Sequence, residues 1–281
     1  MFRLQVREKI LDFYKEDIGS RDLTSDAIFS AGDRSEGKVF SKEEGVICGS
    51  VVFLEGWKLL DETVEVNVHV EDGQWVDKGE ELVTVKGCTS ALLSGERVLL
   101  NLVQRMSGIA TVTRQALSVL ADSSIRVCDT RKTMPGLRLF DKYAVQRGGG
   151  WNHRFGLDDA VMIKDNHIAA AGGITEAVEL VKRRVGHMVK VEVETTTEAE
   201  VLEAVQARAD VIMFDNCGPA RVKELVQLVP DPIVTEVSGN IGIENIADYH
   251  GCGVDYLSMG ALTHSVPALD ISFLVEKEDG K

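Results

Sequence analysis

Six apolar runs in the second part of the chain end on residues that bind or transfer charge. Ile125–Cys128 leads into Asp129-Thr130-Arg131-Lys132-Thr133, and Ala160–Ile163 into Lys164-Asp165-Asn166-His167. Val189–Val193 carries Glu192 and reaches Glu194, and Val211–Phe214 ends in Asp215-Asn216. Ile233–Val237 carries Glu236 and continues to Ser238-Gly239-Asn240, and Val254–Ser258 to Met259-Gly260-Ala261. One polar residue after a strand is usually a helix cap. Six ends with bases first, carboxylates in the middle and glycines last describe a site for small, highly charged anions.

Each group has a chemistry and a rival. Ser238-Gly239-Asn240 and Met259-Gly260-Ala261 each open a helix or turn, so backbone N–H groups can point at phosphate oxygens. In barrels of parallel strands such sites form on the last two strands. Glu194 and Asp215 face that end, as oxygen ligands for Mg²⁺ or as general acid and base. Lys164 is a Schiff-base nucleophile of the barrel-aldolase kind or a charge-pairing group. Charge pairing is preferred, because Arg131, Lys132, His153 and Arg154 cluster with it and such a group requires an anion to stabilise it. Gly148-Gly149-Gly150, between Arg147 and Arg154, reads as an anion-cradling loop. His264, shortly after Gly260, points at the phosphate end, whereas His69, His187 and His250 read as surface or structural residues.

The elements that position these groups follow from the rhythm of the chain. After about residue 122 the strands alternate with helical windows at Ile174–Arg184, Thr197–Ala207, Pro219–Leu228 and Ile243–His250. That alternation predicts a parallel sheet closed or nearly closed into a barrel. A full (β/α)₈ barrel needs eight units in about 250 residues, and here there are six in about 145, so the barrel is smaller or incomplete. Before residue 90 the runs Gly37–Phe40, Val46–Cys48, Val64–Val70 and Glu81–Lys86 are short and broken by glycine, and Val64, Val66, Val68 and Val70 alternate with polar residues. They predict an antiparallel sheet layer. Ser94–Leu120 predicts one long helix, or two joined near Gly108. The stretch Glu71–Glu80 resembles the hairpin of biotinyl and lipoyl carrier domains, but the protruding acceptor lysine with its neighbours is missing, so a plain structural hairpin is expected.

Composition narrows the function classes. The 281 residues are 44% hydrophobic and 27% charged, which is globular composition. No window has the roughly 18 unbroken apolar residues of a membrane span, and Met1–Leu11 has no apolar run of a secretion signal. Five scattered cysteines, never in a C-x-x-C pair, argue against a disulfide scaffold or a zinc knuckle. A soluble cytoplasmic protein with reduced thiols is expected. The formal net charge is −14, which disfavours nucleic acid and anionic membrane as partners. Residues 126–168 hold eight bases and five acids, a basic island of +3 in a chain that is −17 elsewhere.

The motifs themselves resemble a known family. Glu96–Thr111 (ERVLLNLVQRMSGIAT), Asp129–Gly136 (DTRKTMPG), Lys142–Gly156 (KYAVQRGGGWNHRFG), Ile163–Ile168 (IKDNHI), Val191–Glu194 (VEVE) and Gly260–Ser265 (GALTHS) are similar to quinolinate phosphoribosyltransferase, in order, over essentially the whole chain. The resemblance implies an incomplete, roughly six-stranded α/β barrel over 111–269 and an N-terminal open-faced α/β sandwich domain over 1–110, joined by the C-terminal 270–281. It implies transfer of the 5-phosphoribosyl group from phosphoribosyl pyrophosphate to quinolinate with decarboxylation, using Mg²⁺, to give nicotinate mononucleotide, CO₂ and pyrophosphate in NAD biosynthesis. It further implies a homodimer or higher homo-oligomer in which Arg105 is contributed across the interface. Arg131, His153, Arg154 and Lys164 would hold the quinolinate carboxylates, with Lys132 between the substrates. Glu194 and Asp215 would serve Mg²⁺ and ribose, and Ser238, Gly239, Gly260 and His264 the phosphates. Thr130, Asn240, Met259 and Ala261 lie in the same loops and complete the expected binding set. Many members read Ser-Gly-Gly where this chain has Ser238-Gly239-Asn240; Asn tolerates left-handed backbone angles, so the loop is expected to survive. A paralogous family linked to molybdenum utilisation shares much of the pattern and is the alternative.

Overall fold

A computed structural model describes residues 3–30 and 32–277. Along the chain run α1 (Arg3–Asp17), α2 (Leu23–Ile28), β1 (Arg34–Ser41), β2 (Gly45–Val46), α3 (Ser50–Leu60), β3 (Glu65–Val68), β4 (Trp75–Val76) and β5 (Glu81–Cys88). The long α4 (Thr89–Leu120) leads to β6 (Arg126–Cys128), α5 (Arg138–Gly148), β7 (Val161–Ile163), α6 (Asp165–Ala171) and α7 (Ile174–Lys182). Then follow β8 (Val191–Thr195), α8 (Glu198–Gln206), β9 (Val211–Asp215), α9 (Pro219–Leu225), β10 (Val234–Ser238), β11 (Tyr256–Ser258), α10 (Ala261–His264) and β12 (Ile271–Lys277). Two units result: Met1–Val112 with Leu139–Gly149 and Val266–Lys281, and Thr113–Arg138 with Gly150–Ser265.

In the first unit the sheet is antiparallel, in the order β12-β1-β5-β3. One side packs on helices through aromatic rings. Phe53 and Trp57 of α3 stack at 5.4 Å, and Trp57 lies 5.4 Å from Phe273 of β12. Gly37 faces Phe273, and a Cβ there would fall 2.4 Å from its ring, so the close packing requires glycine. The opposite side carries ion pairs, Lys86–Glu36 at 2.9 Å and Lys38–Glu81 at 3.9 Å. Apolar residues on one side and charges on the other make this an open-faced sandwich. The carrier-like stretch does not stand out as a free hairpin, because β4 pairs with β2. α4 is one helix; Gly108 does not break it but admits the Pro267 carbonyl, which a Cβ would approach to 2.1 Å.

The sequence division gives residues 111–269 to the barrel without interruption, whereas Leu139–Gly149 clusters with the first unit. The cause is α5, a helix the strand-and-loop rhythm did not single out. It buries Phe140, Ala144 and Val145, with Phe140 6.3 Å from Phe13. Its Asp141, fully buried, accepts two hydrogen bonds from Arg105, both at 2.8 Å. Tyr143 donates to Asp72 at 2.8 Å.

The second unit is a six-stranded parallel sheet in the order β6-β11-β10-β9-β8-β7, an incomplete α/β barrel. β6 and β7 are not paired, and the outer edge of β6 is taken by Trp151, which bridges Cys128. The register sets the carboxyl ends level: Ser238 is opposite both Asp215 and Ser258, and Ser258 is opposite Cys128. Three of the expected helices form within a few residues of their windows. The fourth, Ile243–His250, is only a 3₁₀ turn over Ile246–Tyr249. There the Asn245 side chain accepts from the Gly242 N–H at 2.9 Å, a local bond that competes with helix formation.

Candidate active site

The carboxyl ends of the parallel strands surround one cavity of about 490 Å³. From β6 come Thr130, Arg131 and Lys132; from the segment after Trp151 come His153 and Arg154; β7 and β8 supply Met162, Lys164 and Glu194. β9 contributes Met213, Asp215 and Asn216, β10 Ser238, Gly239, Asn240 and Ile241, and β11 with α10 supplies Ser258, Gly260, Ala261 and His264. Four bases against two carboxylates line it, so a chain of net charge −14 holds a cavity of net positive charge.

Local structure explains how each side chain is held. Asp129, at the end of β6, is fully buried and accepts from the Asn152 amide at 2.6 Å and from the His153 backbone N–H at 2.9 Å. That anchors the segment carrying His153 and Arg154. Arg154 donates to the Ala160 carbonyl at 2.8 Å, and burial, followed by the nearby Arg131, holds its pKa below the ordinary value. The Lys164 ammonium contacts the Glu194 carboxylate. Lys132 is fixed through its backbone: its N–H donates to Thr130 Oγ1 at 3.0 Å, and its carbonyl accepts from Thr263 Oγ1 at 2.8 Å. Its side chain passes so close to Gly260 that a Cβ there would lie 2.9 Å from Lys132 Cδ.

The loop after β10 is held by amides. Gly239 has φ +104°, and a Cβ would meet Asn216 Oδ1 at 2.3 Å, so this position admits glycine alone. Asn240 has φ +53°, the left-handed conformation. Its side chain donates to Asn216 Oδ1 at 3.0 Å, and Asn216 donates to Asp215 Oδ2 at 2.7 Å. The amide chain links the glycine loop to the carboxylate at the end of β9.

Beneath this lining lies a second acidic layer. His153 Nε2 is 3.1 Å from Glu192 Oε2 and 3.7 Å from Glu236 Oε1, while His153 Nδ1 accepts from the Arg154 N–H at 2.8 Å. Burial, and then Glu192, pushes the Glu236 carboxyl up to about 7.

Residues 22–107 match the N-terminal domain of quinolinate phosphoribosyl transferase, and residues 109–274 match its C-terminal domain. The chain belongs to the quinolinate phosphoribosyl transferase family. It is 52% identical over 273 residues to the probable nicotinate-nucleotide pyrophosphorylase [carboxylating] of Bacillus subtilis, covering 97% of this chain and 94% of that one. It is 37% identical to the corresponding protein of Methanothermobacter thermautotrophicus, over 94% and 96% of the two chains. Its fold matches the crystal structure of NadC from Streptococcus pyogenes with a TM-score of 0.95, at 38% identity and with 99% of each chain covered.

For this family member, the residues of the expected binding set line the cavity, Met259 and Arg105 excepted. Met259 is buried, and its backbone N–H donates to the Cys128 carbonyl at 2.9 Å. Arg105 belongs to the other unit, where it is paired with Asp141. The glycines at 148–150 do not line the cavity: Gly149, with φ +100°, ends α5, and Arg147 stacks over Tyr143 at 4.7 Å. The basic island therefore divides. Arg126 lies over Trp151 and Tyr256, and Arg138 donates to Thr133 and the Phe155 carbonyl, leaving Arg131, Lys132, Arg154 and Lys164 to the cavity. Sequence reasoning missed Met162 and Met213, which read as strand core, and the anchoring role of Asp129. The two-residue strand period puts Glu192 on the same side of β8 as Glu194, the signal that could have found the buried acid.

Proposed function

We propose that the chain transfers the 5-phosphoribosyl group of phosphoribosyl pyrophosphate to quinolinate and decarboxylates the adduct, giving nicotinate mononucleotide, CO₂ and pyrophosphate. The observation that carries this reading is the single cavity in which Arg131, Lys132, Arg154 and Lys164 face Glu194, Asp215 and the glycine loop at 238–240. Two anionic substrates repel when brought together, and fixed cations offset that repulsion without reorganising during the reaction. Arg131, Arg154 and Lys164 hold the quinolinate carboxylates; His153 lines the same cavity, but its two ring nitrogens are taken up by the Arg154 N–H and the buried acids. Lys132 stands between the substrates. Ser238, Gly239, Gly260 and His264 receive the phosphates, and the left-handed Asn240 keeps that loop in shape.

The ring nitrogen of quinolinate attacks the ribose carbon as pyrophosphate departs, and the positive ring then stabilises the electron pair left by CO₂. The chain forms no covalent bond to substrate; it places and neutralises. Glu194 and Asp215, oxygen donors at neighbouring strand ends, fit a hard cation. These two carboxylates would hold Mg²⁺, which would supply charge neutralisation to the diphosphate.

The protein acts as a homodimer or higher homo-oligomer in the cytoplasm, and Arg105, oriented by Asp141, completes a neighbouring subunit's site. In support of a non-membrane setting, no helix among the described residues is long and apolar enough to cross a membrane.

Purified chain supplied with quinolinate, phosphoribosyl pyrophosphate and Mg²⁺ should yield nicotinate mononucleotide, followed by proton NMR. The molybdenum-linked alternative makes none. A Schiff-base aldolase would trap substrate on Lys164 under borohydride, but the Lys164 amine is engaged in an ion pair with Glu194, and no trapping is expected.

A further inference from the structure

Under the cavity, the barrel interior holds two carboxylates that the steps above leave unused. Glu192 and Glu236 are 5% and 4% exposed, and neither lines the cavity. Their four oxygens meet few donors. His153 Nε2 faces both, and the Ser258 hydroxyl bonds Glu236 Oε1. Glu192 Oε1 is buried with no hydrogen-bond partner among the described residues. Two ionised carboxylates so placed would repel and be desolvated together, and one proton held by the pair removes the conflict. Glu192 and Glu194 on β8, His153, Ser258 on β11 and Cys128 on β6 are the groups facing Glu236. Of these, Cys128 stays neutral because burial drives its thiol pKa up. Of the two acids, Glu236 is the one in hydrogen-bond contact with Ser258, and burial, followed by Glu192, raises its pKa.

The reaction proposed above, on which this inference rests, consumes one proton per turnover, because a ring carbon that bore a carboxylate ends as C–H. Two residues connect the acid pair to the cavity, His153 and Ser258. The imidazole is committed, with Nδ1 accepting from the Arg154 N–H and Nε2 turned toward the acids. The Ser258 hydroxyl lies between Glu236 Oε1 and Cys128 Sγ, the latter at 3.2 Å, and it can rotate.

We propose that the buried Glu236 carboxyl stores the proton taken up by the decarboxylated ring, and that the Ser258 hydroxyl delivers it into the cavity. The bond between the ring carbon and its carboxylate breaks, CO₂ leaves, and the electron pair stays on the carbon. That pair takes the Ser258 hydroxyl proton to form C–H, and the Glu236 O–H proton moves to Ser258 Oγ. Glu236 is left as a carboxylate and regains a proton from water once product has left.

The test uses the full chain with quinolinate, phosphoribosyl pyrophosphate and Mg²⁺, comparing wild type with Glu236→Gln, Ser258→Ala and Ser258→Thr across pH 6 to 9, with thermal melts alongside. Wild type should lose kcat toward alkaline pH as the store empties. Glu236→Gln and Ser258→Ala should lower kcat about 10²-fold, leave both KM values within about twofold, and lack the alkaline limb; Ser258→Thr, which keeps the hydroxyl, should recover most of the rate. Turnover within twofold of wild type in both variants, with the wild-type pH profile, overturns the relay. Raised KM with normal kcat also overturns it, since that marks a role in holding His153. If Glu236→Gln fails to fold, the Ser258 pair decides on the same readouts. A wild-type chain that makes no mononucleotide removes the reaction itself, a failure distinct from that of the relay.

Discussion

The barrel carries two layers of carboxylates that differ in depth and, through depth, in chemistry. Glu194 and Asp215 stand at the cavity surface, one against the Lys164 ammonium and the other against the Asn216 amide. Glu192 lies two residues before Glu194 on the same strand, yet it is buried beside Glu236 with two donors for the pair. The upper layer opens to the cavity and has the Lys164 ammonium and the Asn216 amide to stabilise charge, so it suits metal and sugar. The lower layer has neither, so its stable form keeps a proton. Residues of one type on one strand face are assigned different work by solvent and neighbours.

The largest effect should come from the upper layer. Lys132→Ala should reduce turnover by roughly 10²–10³-fold while the melting temperature stays put, because the side chain is exposed and its backbone bonds persist. Turnover near the wild-type rate would remove Lys132 from between the substrates.

Next comes the arginine of the other unit. Arg105→Ala and Lys132→Ala should each be nearly inactive alone. If sites are shared between subunits of a dimer, co-refolded mixtures should recover about a quarter of wild-type activity, measured as mononucleotide formed. No recovery would mean that each chain uses its own arginine.

Gly239→Ala tests the phosphate loop. The added methyl meets Asn216 at a left-handed backbone angle, a strain of about 1–3 kcal/mol, and the KM for phosphoribosyl pyrophosphate should rise more than that for quinolinate. Equal rises would place the loop elsewhere in function.

The smallest effect should come from the lower layer, on stability. The folded pKa of Glu236 is raised to about 7, above its value in the unfolded chain. The native state therefore binds the proton more tightly, and the stability this contributes is fully present below the unfolded pKa and is lost as pH rises through about 7. Glu236→Gln cannot ionise, so its melting temperature should exceed that of wild type by a few degrees at pH 8 and converge with it near pH 4. A constant difference across that range would show that Glu236 does not titrate between the two states.

Much of the barrel was legible because its signals are local. Apolar runs four residues long ending in Asp129–Lys132, Lys164 and Asp215 mark strands and their reactive ends together, and the left-handed Asn240 follows from the tolerance of asparagine for that conformation. What stayed hidden depends on partners distant in sequence. α5 joins the first unit because Phe140 meets Phe13 and Asp141 meets Arg105, contacts that no window around residue 140 contains. Arg126 and Arg147 carry the same charge as Arg131, yet they stack on aromatic rings, a choice that composition cannot reveal. Glu192 and Glu236 were visible as strand residues, but their burial, and the lack of a partner for Glu192 Oε1 among the described residues, appear only once the strands are side by side.

The most direct check on the cavity's assigned chemistry is CO₂ release from quinolinate labelled at the 2-carboxylate, with and without phosphoribosyl pyrophosphate in the presence of Mg²⁺. One labelled CO₂ should appear for each mononucleotide formed, and none when phosphoribosyl pyrophosphate is left out. Release without the sugar donor, or mononucleotide that retains the label, would contradict it.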